Sequence, residues 1–178
     1  MRTDIVFTLT GPDRVGIVEE VTKVMLDLDG NVEASRMARL GGEFAIIMLV
    51  SLPAQGFAEL DTALVHLTSA GYKVTASRTE EPAAEKRRIG RSYRIEVEGA
   101  DHEGIIHDIA HGLSQRGINI ESMDTRTTPA STSGTPLFSM TALVVVPSEL
   151  SGSDWQAELD EAGAQANVDV TATAVDGD

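Results

Sequence analysis

Apolar and polar residues alternate from Asp4 to Thr10, with Ile5, Phe7 and Leu9 on one side and Val6, Thr8 and Thr10 on the other. A period of two predicts a half-buried strand. Gly11-Pro12-Asp13 then reads as a turn, with Asp13 placed to cap a helix. Ile17, Val18, Val21, Val24, Met25 and Leu28 follow at helical spacing, and Glu19 and Lys23 stand four apart on the opposite side. Gly30 is the expected C-cap. Val32 to Leu40 predicts a more polar strand at or near an edge, Gly41-Gly42 a tight hairpin, and Phe44 to Leu52 a strongly apolar strand. A second helix, Phe57 to Ala70, turns Phe57, Leu60, Leu64 and Leu67 inward. Gly71 closes it before a last strand from Tyr72 to Ser77.

The pattern then repeats. Gly99 stands 88 positions after Gly11, and at that spacing Ile5, Phe7 and Leu9 fall on Tyr93, Ile95 and Val97. Asp13 and Gly16 fall on Asp101 and Gly104, and Asn31-Val32-Glu33 on Asn119-Ile120-Glu121. Such a match, ungapped over about thirty positions, is the mark of a duplication. The second copy predicts a strand from Ser92, a helix from His102 to Arg116 and a strand from Ile118 to Thr128. The loop Pro129 to Pro136 carries six residues the first copy lacks. A strand from Leu137 to Val146, a helix lined by Trp155, Leu159 and Ala162, and a strand from Val168 to Val175 complete it, with Asp176 to Asp178 expected to fray. The order β-α-β-β-α-β, twice, predicts an α+β protein of two ferredoxin-like domains, each an antiparallel sheet with both helices on one face. Expected boundaries are residues 1–79, a linker at 80–91 and residues 92–176.

Charge narrows the choice of partner. The 178 residues carry a net charge of −14, which repels nucleic-acid phosphate and anionic membranes. The basic group Lys86, Arg87, Arg88 and Arg91 lies in the linker and reads as a solvated connector. The protein alone is expected not to bind DNA. Cysteine is absent, which removes disulfides and thiolate metal sites. No apolar run approaches ~18 residues and no signal peptide is evident, so the expected location is the cytoplasm.

Each copy places Gly-x-Asp-(Arg/His)-x-Gly at a strand-to-helix turn: Gly11, Asp13, Arg14 and Gly16, then Gly99, Asp101, His102 and Gly104. A helix N-terminus offers unpaired N–H groups that suit a carboxylate. An aspartate can receive an ammonium, and a glycine lets a ligand approach. Asn31 and Asn119, just past the helix, can donate and accept. An α-amino acid carries both charges such a site takes. The same residues also make a cap, a turn glycine and a left-handed asparagine with no ligand.

Glu103, His107 and His111 lie on one helix face, which leaves open a metal-binding protein or hydrolase. His102-Glu103 followed by His107 is one residue too long for the zincin motif. A base-stacking RNA-binding domain has the same element order. Glu96 and Glu98 on the outward face of the second repeat's first strand argue against it.

Thr10-Gly11-Pro12-Asp13-Arg14-Val15-Gly16-Ile17-Val18, with Gly30-Asn31-Val32, resembles the ACT domain, a small regulatory amino-acid-binding module. Gly117-Ile118-Asn119-Ile120 repeats the signature. A tandem pair with no attached enzyme, and with Ser133 to Phe138 entering the long strand, resembles the glycine cleavage system transcriptional repressor family. The resemblance implies a non-enzymatic, cofactor-free regulator that senses a small amino acid such as glycine or serine. It implies a protein partner, a transcription factor or an enzyme, and at least a homodimer. It implies edge-to-edge joining of ACT units with ligand at the join. The implied contacts are Gly11, Asp13, Arg14, Gly16, Ile17 and Asn31, then Asp101, His102, Gly104, Ile105 and Asn119. His102 standing where the first copy has Arg14 implies two unequal sites.

Overall fold

Ten consecutive pairings between Arg2 and Gly11 on one side and Phe44 and Pro53 on the other fix the centre of the first sheet. They belong to a computed structural model that describes residues 2–79, 90–131, 133–150 and 154–175. The chain divides into two compact units, Met1–Pro82 and Ala83–Asp178. Most of the expected linker, and the basic residues Lys86, Arg87 and Arg88, lie outside the described residues, as does the expected fraying at Asp176 to Asp178.

The first unit runs β1 (Arg2–Pro12), α1 (Ile17–Asp27), β2 (Asn31–Leu40), β3 (Glu43–Pro53), α2 (Ala54–Ala63), α3 (Val65–Ser69) and β4 (Lys73–Arg78). The sheet order is β2-β3-β1-β4, and every neighbour is antiparallel. The alternation read in β1 holds. Ile5, Phe7 and Leu9 are buried with Ile46, Met48, Val50 and Leu52 of β3, beneath Ile17, Val21 and Met25 of α1 and Leu60 and Leu67 from the later helices. One face is therefore covered by helices. β2 is an edge strand and almost wholly exposed, as its polar pattern predicts. Gly41 and Gly42 both have positive φ, at 58° and 90°, the requirement of a type I′ hairpin turn.

The second unit runs β5 (Gly90–Ala100), α4 (Ile105–Ser114), β6 (Asn119–Pro129), β7 (Pro136–Pro147), a 3₁₀ turn (Ser148–Leu150), α5 (Trp155–Gln165) and β8 (Val168–Ala174). Its order, β6-β7-β5-β8, is the same, again antiparallel throughout. A separate core gathers Ile95, Val97, Ile109, Leu113, Met140, Val144, Trp155 and Leu159. Tyr93 meets Trp155 edge to face, ring centres 5.0 Å apart. The added residues between Pro129 and Pro136 lengthen the β6–β7 hairpin. Ala130 N–H donates to the Thr135 carbonyl at 2.8 Å, and Gly134 N–H to the Ala130 carbonyl at 2.9 Å.

Several local expectations change. Gly11 and Pro12 are the end of β1, not the turn. A Cβ on Gly11 would lie 2.5 Å from the Tyr72 ring and 3.2 Å from the Tyr72 Cα, so glycine admits a close approach of β4's entry. Gly99 does the same against Val168. Asp13 does not cap α1. The cap is Gly16, at φ 90°, with no side-chain hydrogen bond. The left-handed residue after α1 is Asp29, at φ 55°, not Gly30 or Asn31. Asp29 N–H reaches the Leu26 carbonyl and Gly30 N–H the Met25 carbonyl, a Schellman closure. Gly30 is needed for room, since its Cβ would come within 2.7 Å of the Met25 carbonyl oxygen and of Leu52. Lys23 pairs with Asp27 at 2.9 Å instead of Glu19. Val18 is 38% exposed rather than core. The second helix begins at Ala54 and is interrupted at Leu64. In α5 it is Gly163, not Ala162, that is buried; its Cβ would meet Val170 at 2.4 Å.

Candidate ligand-binding turns

At the first turn, main chain and side chains lock together. Asp13 N–H donates to the Gly42 carbonyl at 2.9 Å, and its carboxylate meets the Arg39 guanidinium at 2.7 Å. The turn is thus held against the β2–β3 hairpin. Arg14 reaches the other way. It pairs with Glu20 on α1 and lies over the Tyr72 ring, 5.7 Å from its centre. Tyr72 in turn donates its hydroxyl to the Pro12 carbonyl at 2.8 Å. His66 stands 3.1 Å from the far oxygen of Glu20. Hydrogen bonding to Arg14 holds the Glu20 carboxyl below its ordinary value, and the same contact raises Arg14.

The glycines open the helices. Gly16 at φ 90° and Gly104 at φ 99° are left-handed N-caps that an L side chain would strain. Neither α1 nor α4 has a side-chain cap, which leaves first-turn N–H groups for a ligand or solvent. Beyond Gly16, only an Arg14 nitrogen comes within 4.0 Å of where a Cβ would sit. Ile17 and Ile105 are buried in the two cores, so only their main chain is open at the turn.

The second turn keeps this backbone with other side chains. Asp101 N–H donates to the Pro136 carbonyl at 2.9 Å. Thr127 stands at the repeat position of Arg39, so Asp101 lacks that cation. His102 puts Nδ1 2.9 Å from the Glu103 carbonyl oxygen and Nε2 2.6 Å from that of Ala166. These two bonds, ahead of the opposing effect of burial, raise its pKa above the ordinary histidine value, with a further push from Asp101 and Asp108.

Asn31 and Asn119 are not beside these turns within their own sheets. Asn31 pairs in register with Ser51, and Ser51 with Asp4; the turn lies beyond Pro12 at the opposite end. Eight residues of strand, roughly 26 Å, separate the two levels. Asn119 lies likewise against Val145 while Asp101 follows Ala100 beside Leu137. Both asparagines begin an edge strand just before a β-bulge, at Val32/Ala34 and at Ile120/Ser122. The Asn31 amide reaches Glu33 at 3.4 Å. Sequence reasoning missed Arg39, Glu20, His66 and Tyr72 as parts of the first turn. The one available signal was Arg39 beside the Gly41-Gly42 hairpin.

The metal alternative gains no geometry. The His107 and His111 rings stack with centres 6.0 Å apart, and among the described residues no three His, Cys, Asp or Glu side chains gather to hold an ion. Among those residues no helix is long and apolar enough to cross a membrane.

Two sheets of this order, each with a glycine-opened helix after its first strand, define a class. The ACT domain family model matches residues 3–73, nearly all of the first unit, and the second unit repeats its sheet order. Within that class it resembles the glycine cleavage system transcriptional repressor: that of Escherichia coli strain K12 is 33% identical over 138 residues, 71% of this chain and 66% of the repressor. The alignment thus spans just under two thirds of the relative's length. A crystal structure of an unknown protein from Galdieria sulphuraria is 32% identical, superposes with a TM-score of 0.83 and is covered over 100% of its chain, against 99% of this one. A solved candidate glycine cleavage system transcriptional repressor, 22% identical with a TM-score of 0.73 and 99% of each chain covered, shares the fold.

Proposed function

We propose that this chain is a non-enzymatic, cytoplasmic regulator that binds a small amino acid, such as glycine or serine, and controls a transcription factor or an enzyme, as in regulation of glycine cleavage. The observation that carries the reading is the twice-built turn: a left-handed glycine opens a helix that has no side-chain cap, beside an aspartate. The helix-end N–H groups suit the ligand carboxylate. Asp13 or Asp101 suits its ammonium.

The asparagines enter this reading through a second copy of the chain. β2 is a ten-residue exposed edge, and unpaired edges are usually covered. Antiparallel pairing of two such edges sets the Asn31 end of one strand against the Leu40 end of the other. That end adjoins the Gly42–Asp13 contact of its own sheet. Asn31 from one copy and Asp13 with Gly16 from the other then frame one ligand.

A thermal-shift screen of the twenty amino acids, followed by variants, tests this. Ligand at a hundredfold excess over Kd stabilises by ~2.7 kcal/mol, which is roughly 5–10 °C for a chain of this size. Asn31→Ala and Asn119→Ala should abolish the shift at their sites with the fold intact, and light scattering should show a dimer at tens of micromolar. Wild-type affinity in both variants would sink the assignment of the sites.

A further inference from the structure

We propose that His102 is a proton-operated clamp, which fastens the second-repeat turn to the α5–β8 junction only while both of its ring nitrogens carry hydrogen. The geometry requires it. Nδ1 faces the Glu103 carbonyl oxygen at 2.9 Å and Nε2 the Ala166 carbonyl oxygen at 2.6 Å. Carbonyl oxygens only accept, and a neutral imidazole has one N–H. One of the two contacts is therefore lone pair against lone pair unless the ring is a cation.

The contacts bridge two places 64 residues apart in sequence. Glu103 precedes the left-handed cap Gly104. Ala166 precedes Asn167, itself left-handed at φ 52°, where α5 gives way to β8. The charged groups acting on the ring are Asp101 in the same turn and Asp108 on α4, and both favour the cation; from α5 and β8 the group facing it is the Ala166 carbonyl. In the first repeat the same position holds Arg14, which stays charged at every physiological pH. The first-turn counterpart of His102 therefore holds no proton switch near neutrality.

The direction follows from linkage. The folded-state value lies above the unfolded one, so the clamp is fully closed below about 6.5, the unfolded histidine value. It opens as pH rises through the higher folded value. The titration needs no ligand, so its failure would leave the amino-acid-sensing reading standing, and a failed ligand screen would leave the clamp standing.

The test is an NMR titration of the histidine side chains of the full chain, with amide hydrogen exchange normalised at each pH to unstructured peptides. The expected result is a His102 midpoint above about 6.5. Protection in the segments around Glu103 and Asn167 should fall together as pH crosses that midpoint. His102→Gln, checked for folding by circular dichroism, should show no step and sit at the high-pH level throughout. A midpoint at or below the ordinary value, or the same step in His102→Gln, would overturn the clamp. Should that variant fail to fold, the wild-type midpoint decides alone.

Discussion

The turns after β1 and β5 share a backbone and differ in nearly every charge. Gly11 and Gly99 admit the entry of the fourth strand, Gly16 and Gly104 open the helices, and Asp13 and Asp101 hang from the neighbouring hairpin by the same N–H bond. Around this frame the first turn answers each charge internally: Asp13 with Arg39, Arg14 with Glu20. The second has Thr127 for Arg39, Asp108 for Glu20 and His102 for Arg14, and its cation turns to main-chain carbonyls. Duplication has kept what the chain path needs and released what only charge needed. A ligand ammonium approaching Asp13 must compete with a guanidinium 2.7 Å away; one approaching Asp101 meets no counterpart of Arg39.

The sharpest way to separate the halves is through their cores, which share no residue. Phe7, fully buried, should cost about 3–5 kcal/mol as Phe7→Ala. That loss should appear in the circular dichroism melt of the first half. The fluorescence of Trp155, the chain's one tryptophan, should report the second half melting as before. A Trp155 transition that moves in step would show the halves to be one cooperative unit. Next in size are the close-approach glycines. Gly11→Ala forces Tyr72 ring and backbone aside, and Gly99→Ala does the same to Val168. Each is expected to lose about 1–3 kcal/mol in denaturant unfolding, and equal losses would confirm that the frame is common to both.

Charge changes should be smaller and one-sided. Arg39→Ala breaks an exposed pair and should cost less than ~1 kcal/mol, while Thr127→Ala should be neutral. Under the proposed function, Arg39→Ala also frees Asp13, and calorimetry should then show tighter ligand binding at the first turn only. The smallest effect is on the acid side. Glu20 lies below its unfolded value because of Arg14, so its contribution is present above ~4.3 and fades as pH falls through the lower folded value. Glu20→Gln should flatten that part of the acid unfolding curve relative to wild type.

What was legible in the sequence was local or periodic. The alternation of Ile5, Phe7 and Leu9, the Gly41-Gly42 hairpin, the polar edge strand and the duplication needed no distant partner. Misreadings arose where the reason for a residue lies far along the chain. Gly11 is small because of Tyr72, and Gly30 because of Leu52. Lys23 had two carboxylates at helical spacing, and sequence alone does not choose between Glu19 and Asp27. Asn31 and Asp13 both flank α1 in sequence; the strand register, invisible there, puts them at opposite ends of the sheet, so within one copy they lie apart.

The exposed edge of β2 also has a meaning for the protein as a colloid. A sheet with an open rim is a growing surface, and what keeps two rims from meeting at random is the coat of charge around them. Here that coat is 28 carboxylates against 14 lysines and arginines. It thins as pH falls toward the isoelectric point near 4.6. Under the proposed function, the edge that pairs selectively near neutrality is the one left to stack at random as that coat is lost, and turbidity should rise as pH approaches 4.6.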